Sequence, residues 1–340
     1  MTAHRSISAG PVDAAARGSL PPLHSCGLSG INVLGWGFNG PDAVAVAGRY
    51  VWVANQYSHD VVGMTTTEAL VRVIREPDDG ISGADAITAT GNHVWIANGT
   101  GRSVTEVSAS TGALVRVLKG PRFDFFMPDA ITSDGSHVWV ANANSNSVSE
   151  IAASSGALIR VIKGSRYGLK APAAITSDGR YVWAANANAS TVTELSAQTG
   201  GLIRIIKGRK FALDSPRAIA SSYSDIWVAS YFSNTVTEVN SSTGKLVRVI
   251  SGARFGFNLP QAVASDRAHV WVANSDGSSI TELNAVTGAL VRVIKSARYG
   301  LSGPSALALV GTDLWVADTF GNAITELSRS TSSLVRLFIG

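Results

Sequence analysis

The motif that most constrains the fold is Val-Trp-Val-Ala-Asn, because close variants of it recur through nearly the whole chain. Successive tryptophans of the seven copies are 43 or 44 residues apart: Trp52, Trp95, Trp139, Trp183, Trp227, Trp271 and Trp315. A repeat of about 40 to 50 residues with strand-like content is typical of one blade of a β-propeller. The copies fill the chain from about Pro41 to Gly340, and they predict an all-β fold, a seven-bladed β-propeller.

Each repeat divides into four short runs, which in the third copy read PDAITSDG, HVWVANAN, SVSEIAAS and GALIRVIKG. The runs are rich in Val, Ile and Thr and are bounded by Gly, Asn, Ser or Asp, as strands and tight turns require. No segment has a sustained helical period. We therefore expect four antiparallel strands per blade, with one buried Trp per blade forming the contact between blades.

Charged residues also follow the repeat. The fourth strand carries an arginine in all seven copies: Arg72, Arg116, Arg160, Arg204, Arg248, Arg292 and Arg336. The third strand carries a glutamate in six: Glu106, Glu150, Glu194, Glu238, Glu282 and Glu326. Hairpin register brings each Glu close to the Arg of its own blade, so we expect ion pairs with a structural role.

The unbroken repeat favours one closed ring, although 340 residues with 45% hydrophobic content could form two domains. We expect residues 1–26 to be a mobile N-terminal arm and residues 27–340 to be the propeller, with 27–40 closing the ring beside the last blade. Cys26 is the only cysteine, so no intrachain disulfide forms. No apolar run is long enough to span a membrane, and no signal-peptide pattern is visible, which favours a cytoplasmic location.

The unit VWVAN…NSVSEI…TGALIRVIKG resembles YVTN/YncE-like propeller repeats and is similar to the blades of streptogramin B (virginiamycin B) lyases. The resemblance covers residues 41–340 and implies a propeller with lyase-like chemistry. That family uses histidines and a glutamate near the ends of strand two, with a divalent cation. The matching positions here hold no histidine: Asn55/Tyr57, Asn98/Thr100, Asn142/Asn144, Asn186/Asn188, Ser230/Phe232, Asn274/Asp276 and Asp318/Phe320.

Positions where single blades depart from the repeat are candidates for function, because whatever all blades share belongs to the scaffold. The residue that opens strand one varies: Asp42, Asp85, Asp129, Ala173, Arg217, Gln261 and Ser305. Three adjacent blades thus present carboxylates near the axis, which either raise one another's pKa or bind Mg²⁺ or Ca²⁺. Alternatively, Asp simply suits the turn at the start of the strand.

A second departure is His59, in the loop after strand two of the first blade. Near Asp42 or Asp85 it could serve as a general base oriented by a carboxylate, and we predict His59, Asp85 and Asp318 as catalytic residues. The alternative is an ordinary solvated loop histidine. His93, His137 and His269 share one repeat position at the opposite end of the blades and are predicted to be structural.

Aromatic residues form a third departure, since they replace the polar loop residues of some blades. Together with Asp42, Asp129 and Arg217 we predict a ligand-binding role for four of them: Tyr57, Tyr231, Phe232 and Phe320. Exposed aromatics beside a channel mouth suit an apolar ligand or a partner. Packing against a linker is the alternative explanation.

The linkers between blades repeat a basic residue followed by an aromatic one, as in Arg166-Tyr167. This regularity favours an aromatic side chain that fills the gap between blades while the neighbouring cation reaches water, and it disfavours nucleic-acid binding. The sequence favours a small-molecule site at the channel mouth, with acid–base chemistry of lyase or isomerase type on a specialised metabolite. The alternative is a non-catalytic scaffold for a protein partner.

Overall fold

The computed structural model describes residues 35–75 and 80–340. The expected N-terminal arm, residues 1–26, and the first part of the closing segment lie outside this range. The described residues form seven four-stranded antiparallel sheets, each built from four consecutive strands in the order 1-2-3-4. The predicted seven-bladed β-propeller is confirmed.

The strands of the first four blades are β1 (Pro41–Ala47), β2 (Tyr50–Asn55), β3 (Asp60–Thr65), β4 (Leu70–Ile74); β5 (Ala84–Thr90), β6 (His93–Asn98), β7 (Ser103–Ser108), β8 (Leu114–Lys119); β9 (Pro128–Ser133), β10 (His137–Asn142), β11 (Ser147–Ala152), β12 (Leu158–Lys163); β13 (Pro172–Ser177), β14 (Tyr181–Asn186), β15 (Thr191–Ser196) and β16 (Leu202–Ile206).

Those of the last three blades are β17 (Pro216–Ser222), β18 (Asp225–Ser230), β19 (Thr235–Asn240), β20 (Leu246–Ile250); β21 (Pro260–Ser265), β22 (His269–Asn274), β23 (Ser279–Asn284), β24 (Leu290–Ile294); β25 (Pro304–Val310), β26 (Asp313–Asp318), β27 (Ala323–Ser328) and β28 (Leu334–Ile339). Five linkers each contain a single 3₁₀ turn: Pro121–Phe123, Ser165–Tyr167, Arg209–Phe211, Ala253–Phe255 and Ala297–Tyr299. No helix in the described part of the chain is long and apolar enough to cross a membrane.

The core lies between the blades, where the repeated tryptophans are at most 1% exposed. Trp52 of the first blade packs with Val94 and Ile96 of the second, and its indole Nε1 donates to the carbonyl of Ala109 at 3.1 Å. Equivalent apolar clusters join each later blade to the next. Each sheet therefore buries both faces against its neighbours, which explains why strand two is apolar on both sides.

The ring closes by contact between the seventh and first blades. Trp315 and Phe338 pack against Val51, Val53 and further residues of the first blade, with Phe38 in the same cluster. Gly35 forms a parallel bridge with Ile339, and the amide of Trp36 donates to the carbonyl of Ile339 at 3.0 Å. The residues just before β1 thus run along the outer strand of the last blade, while all four strands of that blade come from the C-terminal end.

The predicted Glu–Arg pairs are present in six blades, with Arg Nε to Glu Oε2 distances of 2.6 to 3.3 Å. Five of these arginines also donate to a carbonyl of the next blade: Arg160, for example, donates to the carbonyl of Gln198 at 3.2 Å. The pairs therefore join neighbouring sheets as well as neighbouring strands, which is the structural role expected for them.

Candidate functional site

The start of strand one has the same irregularity in every blade. The first residue of strand one pairs with the last residue of strand two, whereas the third residue of strand one pairs with the next-to-last residue of strand two. The second residue of strand one therefore has no partner on strand two. This is a β-bulge, which redirects a side chain out of the regular strand alternation. The bulged residues are the variable set of the sequence: Asp42, Asp85, Asp129, Ala173, Arg217, Gln261 and Ser305.

All seven bulged residues line one axial cavity of about 270 Å³. Ala43, Ala86, Gln56 and Met127 complete its wall. Gln56 follows strand two of the first blade, and Met127 ends the linker before β9, so neither shares the repeat position that identified the other seven. Gln56 and Met127 differ from the residues at the same positions of other blades, and that difference could have identified them. The repeat pattern does not show, however, that these two loops reach the axis.

Three carboxylates occupy one sector of this cavity, and burial is the main cause of their altered acidity. Burial, together with the Asp129 and Asp42 carboxylates, raises the pKa of Asp85 to about 6, although the charge of His59 opposes the rise. Burial also raises the pKa of Asp42, although Thr319 Oγ1 donates to its Oδ1 at 3.2 Å. Asp85 can therefore hold or release a proton close to neutral pH.

Arg217 faces this acidic sector from the fifth blade. Burial raises the pKa of Asp129, while the Arg217 guanidinium lowers it and Asp42 raises it. The Arg217 guanidinium carbon lies 5.8 Å from the centre of the Tyr231 ring, which supports it from one side. The cavity thus presents a negative side and a single cation, a pattern that favours a polar ligand over an apolar one.

His59 is exposed and is not part of the cavity wall. It adopts a left-handed conformation, φ 53°, at a loop position where Asn146, Asn234 and Asn322 have the same conformation. Those asparagines each accept a hydrogen bond from a linker amide. His59 therefore lies outside the wall of the cavity, although its charge acts on Asp85.

Asp318 is fully buried at the end of β26 and does not line the cavity. Its carboxylate accepts from the amides of Ser302 at 2.6 Å and Gly321 at 3.0 Å. Burial raises its pKa to about 6, against the lowering effect of these two bonds. Asp318 stands where four other blades have an asparagine whose Nδ2 donates to strand-three hydroxyls, so its contacts are those of a blade-terminating residue.

The predicted aromatic ligand-binding residues also lie outside the wall of the cavity. Tyr57, Phe232 and Phe320 are 51%, 64% and 65% exposed at one repeat position, the tip of the loop between strands two and three. The Tyr57 ring packs on Gly40, and the Phe320 ring packs on Gly303. Tyr231 contacts both Arg217 and the Phe232 ring. Tyr57 and Phe320 thus pack against the segments that precede strand one, as the alternative explanation expected, although more than half of each side chain is exposed.

The proposed metal ligands Asp42, Asp85 and Asp129 converge on the cavity from three blades. Within the described residues, however, no group of three or more His, Cys, Asp or Glu side chains is close enough together to hold a metal ion. The Mg²⁺ or Ca²⁺ site at these three carboxylates stays a prediction.

No protein-family model and no curated protein sequence matches the chain. Solved structures do match its fold. Virginiamycin B lyase from Staphylococcus aureus is 16% identical with a TM-score of 0.67, over 83% of this chain and 92% of that one. A streptogramin B lyase structure is 13% identical with a TM-score of 0.68, over 85% and 93%. Hydrazine synthase from Kuenenia stuttgartiensis is 16% identical with a TM-score of 0.71, over 90% and 99%.

At these identities the likeness shows the fold and does not transfer an activity. The fold, the repeat and the axial cavity agree on the architecture: the chain is a seven-bladed β-propeller whose structural neighbours include the streptogramin B lyases.

Proposed function

We propose that the axial cavity binds a small polar metabolite and that Asp85 exchanges a proton with it, as the acid–base group of a lyase- or isomerase-type enzyme. The observation that carries the proposal is the convergence of all seven bulged residues on one cavity. The repeat makes the scaffold uniform, yet these residues differ in charge and size from blade to blade. Variation at the one position that reaches the axis is what a selective ligand site needs.

The charges in the cavity indicate which chemical groups the ligand carries. The acidic sector of Asp42, Asp85 and Asp129 suits a positively charged or hydrogen-bond-donating group, and Arg217 suits a carboxylate or another acceptor. A volume of about 270 Å³ limits the ligand to a small molecule or to one part of a larger one. Two observations favour proton abstraction as the chemical step. The structural neighbours include lyases, and Asp85 is near half ionisation at pH 6, so it can accept a proton.

The test combines ligand binding with two variants. A panel of small amines, amino acids and carboxylates is screened by thermal shift against the parent chain, Asp85→Asn and Arg217→Gln. Virginiamycin B is included as a probe for the reaction named in the structural neighbours. Compounds that stabilise the parent but neither variant support the site, and turnover should rise through an apparent pKa of about 6. Stabilisation that is equal in all three proteins would refute it.

The second candidate is a non-catalytic scaffold that binds a protein partner. It is favoured by one finding: His59 and Asp318, two of the three predicted catalytic residues, are not part of the cavity wall. A partner captured by the parent chain and equally by Asp85→Asn and Arg217→Gln, with no small-molecule stabilisation, would support this function instead.

A further inference from the structure

The linkers between blades lie at the same end of the molecule as the loops between strands two and three. In the third blade the amide of Asn144 donates to the carbonyl of Phe126 at 3.1 Å, and Ser145 Oγ donates to the carbonyl of Asp124 at 2.9 Å. The same loop-on-linker contacts recur in later blades; Ser233 Oγ, for example, donates to the carbonyl of Ala212 at 2.9 Å. Loops and linkers thus form one face, which we call the linker face.

Five linkers make the outer part of this face strongly basic, and we call residues 119–127, 163–171, 207–215, 251–259 and 295–303 the linker rim. It carries eleven cations, all exposed: Lys119, Arg122, Lys163, Arg166, Lys170, Lys207, Arg209, Lys210, Arg254, Lys295 and Arg298. It carries two anions, Asp124 and Asp214. Because the formal net charge of the whole chain is only +4, the positive charge is concentrated here.

The turns at the opposite end of the blades have no such excess. They carry five cations, Arg49, Arg180, Lys245, Arg267 and Arg329, and four anions, Glu68, Asp134, Asp178 and Asp266. Some of these are paired with each other, as Arg329 is with Asp266. The opposite face therefore serves as an internal reference with the same fold and nearly balanced charge.

Exposed aromatic side chains stand on the linker face as well. Tyr57, Phe232 and Phe320 share one loop-tip position in three blades, and Phe126 is 41% exposed on a linker beneath the guanidinium of Arg102. Residues at one repeat position of a closed ring lie at one level along its axis. Tyr57, Phe232 and Phe320 are therefore at similar height on the face that also carries the rim cations.

We propose that the linker face binds an anionic lipid surface. Lys and Arg near a negatively charged bilayer, with aromatic rings that enter the headgroup region, are the ordinary elements of peripheral membrane attachment. Rings at one level of the face, together with the rim cations, fit a bilayer surface, because both can contact it at once. The acidic cavity lies at the centre of the same face, so lipid contact is confined to the rim.

A single-stranded nucleic acid fits this surface less well. Its bases stack on aromatic rings that succeed each other along a groove. The linker aromatics that repeat regularly, such as Phe123 and Tyr167, are at most 7% exposed and lie under Arg122 and Arg166. The exposed rings do not follow the repeat from blade to blade: Tyr57 and Phe320 belong to the adjacent first and seventh blades, Phe232 belongs to the fifth, and Phe126 lies on a linker.

The chain of residues 1–340 is tested by co-sedimentation with phosphatidylcholine vesicles and with vesicles that also contain phosphatidylglycerol. Binding is expected only with phosphatidylglycerol and is expected to weaken as salt is added. The rim variant changes four lysines that occupy one repeat position: Lys119→Gln, Lys163→Gln, Lys207→Gln and Lys295→Gln. Each removed charge lowers the partition coefficient roughly fivefold, so the combined loss is at least about a hundredfold. The double variant Phe232→Ser and Phe320→Ser lowers it about tenfold.

A control variant of equal charge separates the face from the net charge: Arg49→Gln, Arg180→Gln, Lys245→Gln and Arg267→Gln on the opposite face. It should bind vesicles within about threefold of the parent, because these charges lie away from the bilayer. Circular dichroism and melting temperature show whether each variant is folded.

Three results would overturn the proposal. They are no preference for phosphatidylglycerol in the parent, equal loss of binding in the rim and control variants, or binding of a single-stranded oligonucleotide that exceeds vesicle binding and is lost in the rim variant.

Discussion

Buried carboxylates occur in two regions of this propeller, between the blades and at the axis, and the two regions stabilise them differently. Between the blades each strand-three Glu has an Arg Nε within 3.3 Å. At the axis no Lys, Arg or His nitrogen of the described residues lies within ion-pairing distance of Asp42, Asp85 or Asp129. Burial raises pKa values in both regions, as it does for Glu194 and Asp85.

The difference separates scaffold from site. A buried charge that a neighbouring guanidinium compensates contributes to the structure, whereas an uncompensated one lowers stability unless a ligand supplies the missing charge or hydrogen bond. The axial carboxylates are therefore the ones expected to gain from a bound molecule.

Removing the counter-charge between blades should have the largest effect. Arg204→Met leaves Glu194, which is fully buried, without its partner at 3.1 Å. The free energy of unfolding in urea should fall by about 2 to 4 kcal/mol at neutral pH. Arg209→Met, an exposed change on a nearby linker, should alter it by less than about 0.5 kcal/mol. Equal effects of the two changes would show that the pair does not compensate the buried charge.

Neutralising an axial carboxylate should have the opposite sign. The folded-state pKa of Asp85 is about 6 against an ordinary 3.8, so the folded protein prefers the protonated carboxyl. The stability that this preference gives is complete below about pH 4 and is lost as the pH rises through 6. Asp85→Asn stays neutral, so it should be more stable than the parent by about 1 to 2 kcal/mol at pH 8, with no gain at pH 3.5.

Gln261→Ala is the matched control for that measurement, because it changes the same ring without removing a titrating group. Its effect on the free energy of unfolding should not vary with pH. If Asp85→Asn is as pH-independent as this control, the uncompensated charge at the axis is not a source of instability.

A third carboxylate lies between these two cases and should show the smallest effect. Asp318 has no counter-ion among the described residues, but two backbone amides donate to it. Its folded-state pKa of about 6 again means stability lost as the pH rises through 6. Asp318→Asn introduces the residue that five other blades have at this position. It should raise the free energy of unfolding by about 1 kcal/mol at pH 8 but not at pH 4. A loss of stability at pH 8 would show that the two amide bonds already compensate the charge.

The architecture could be predicted almost completely from the sequence, because a period of 44 residues and the repeated Trp, Glu and Arg fix the number of blades and the contacts between them. The ring of residues around the cavity was also predictable, since the variable position opens strand one. The surroundings of His59 and Asp318 were not predictable. Equivalence in the repeat says that two residues share a place in the backbone, but it does not say where the side chain points. The left-handed loop at His59 and the amide bonds at Asp318 depend on neighbouring linkers, which the repeat pattern does not resolve.

The bulge at the start of every first strand has a consequence for how such a molecule acquires new specificity. Each blade contributes one side chain to the axial chamber from a place where the backbone is already irregular, so exchanging that residue disturbs no ladder of hydrogen bonds. In chain order the seven residues that line the chamber are Asp, Asp, Asp, Ala, Arg, Gln and Ser. Single substitutions at these positions should change which ligand the chamber binds, while the seven surrounding sheets keep their structure.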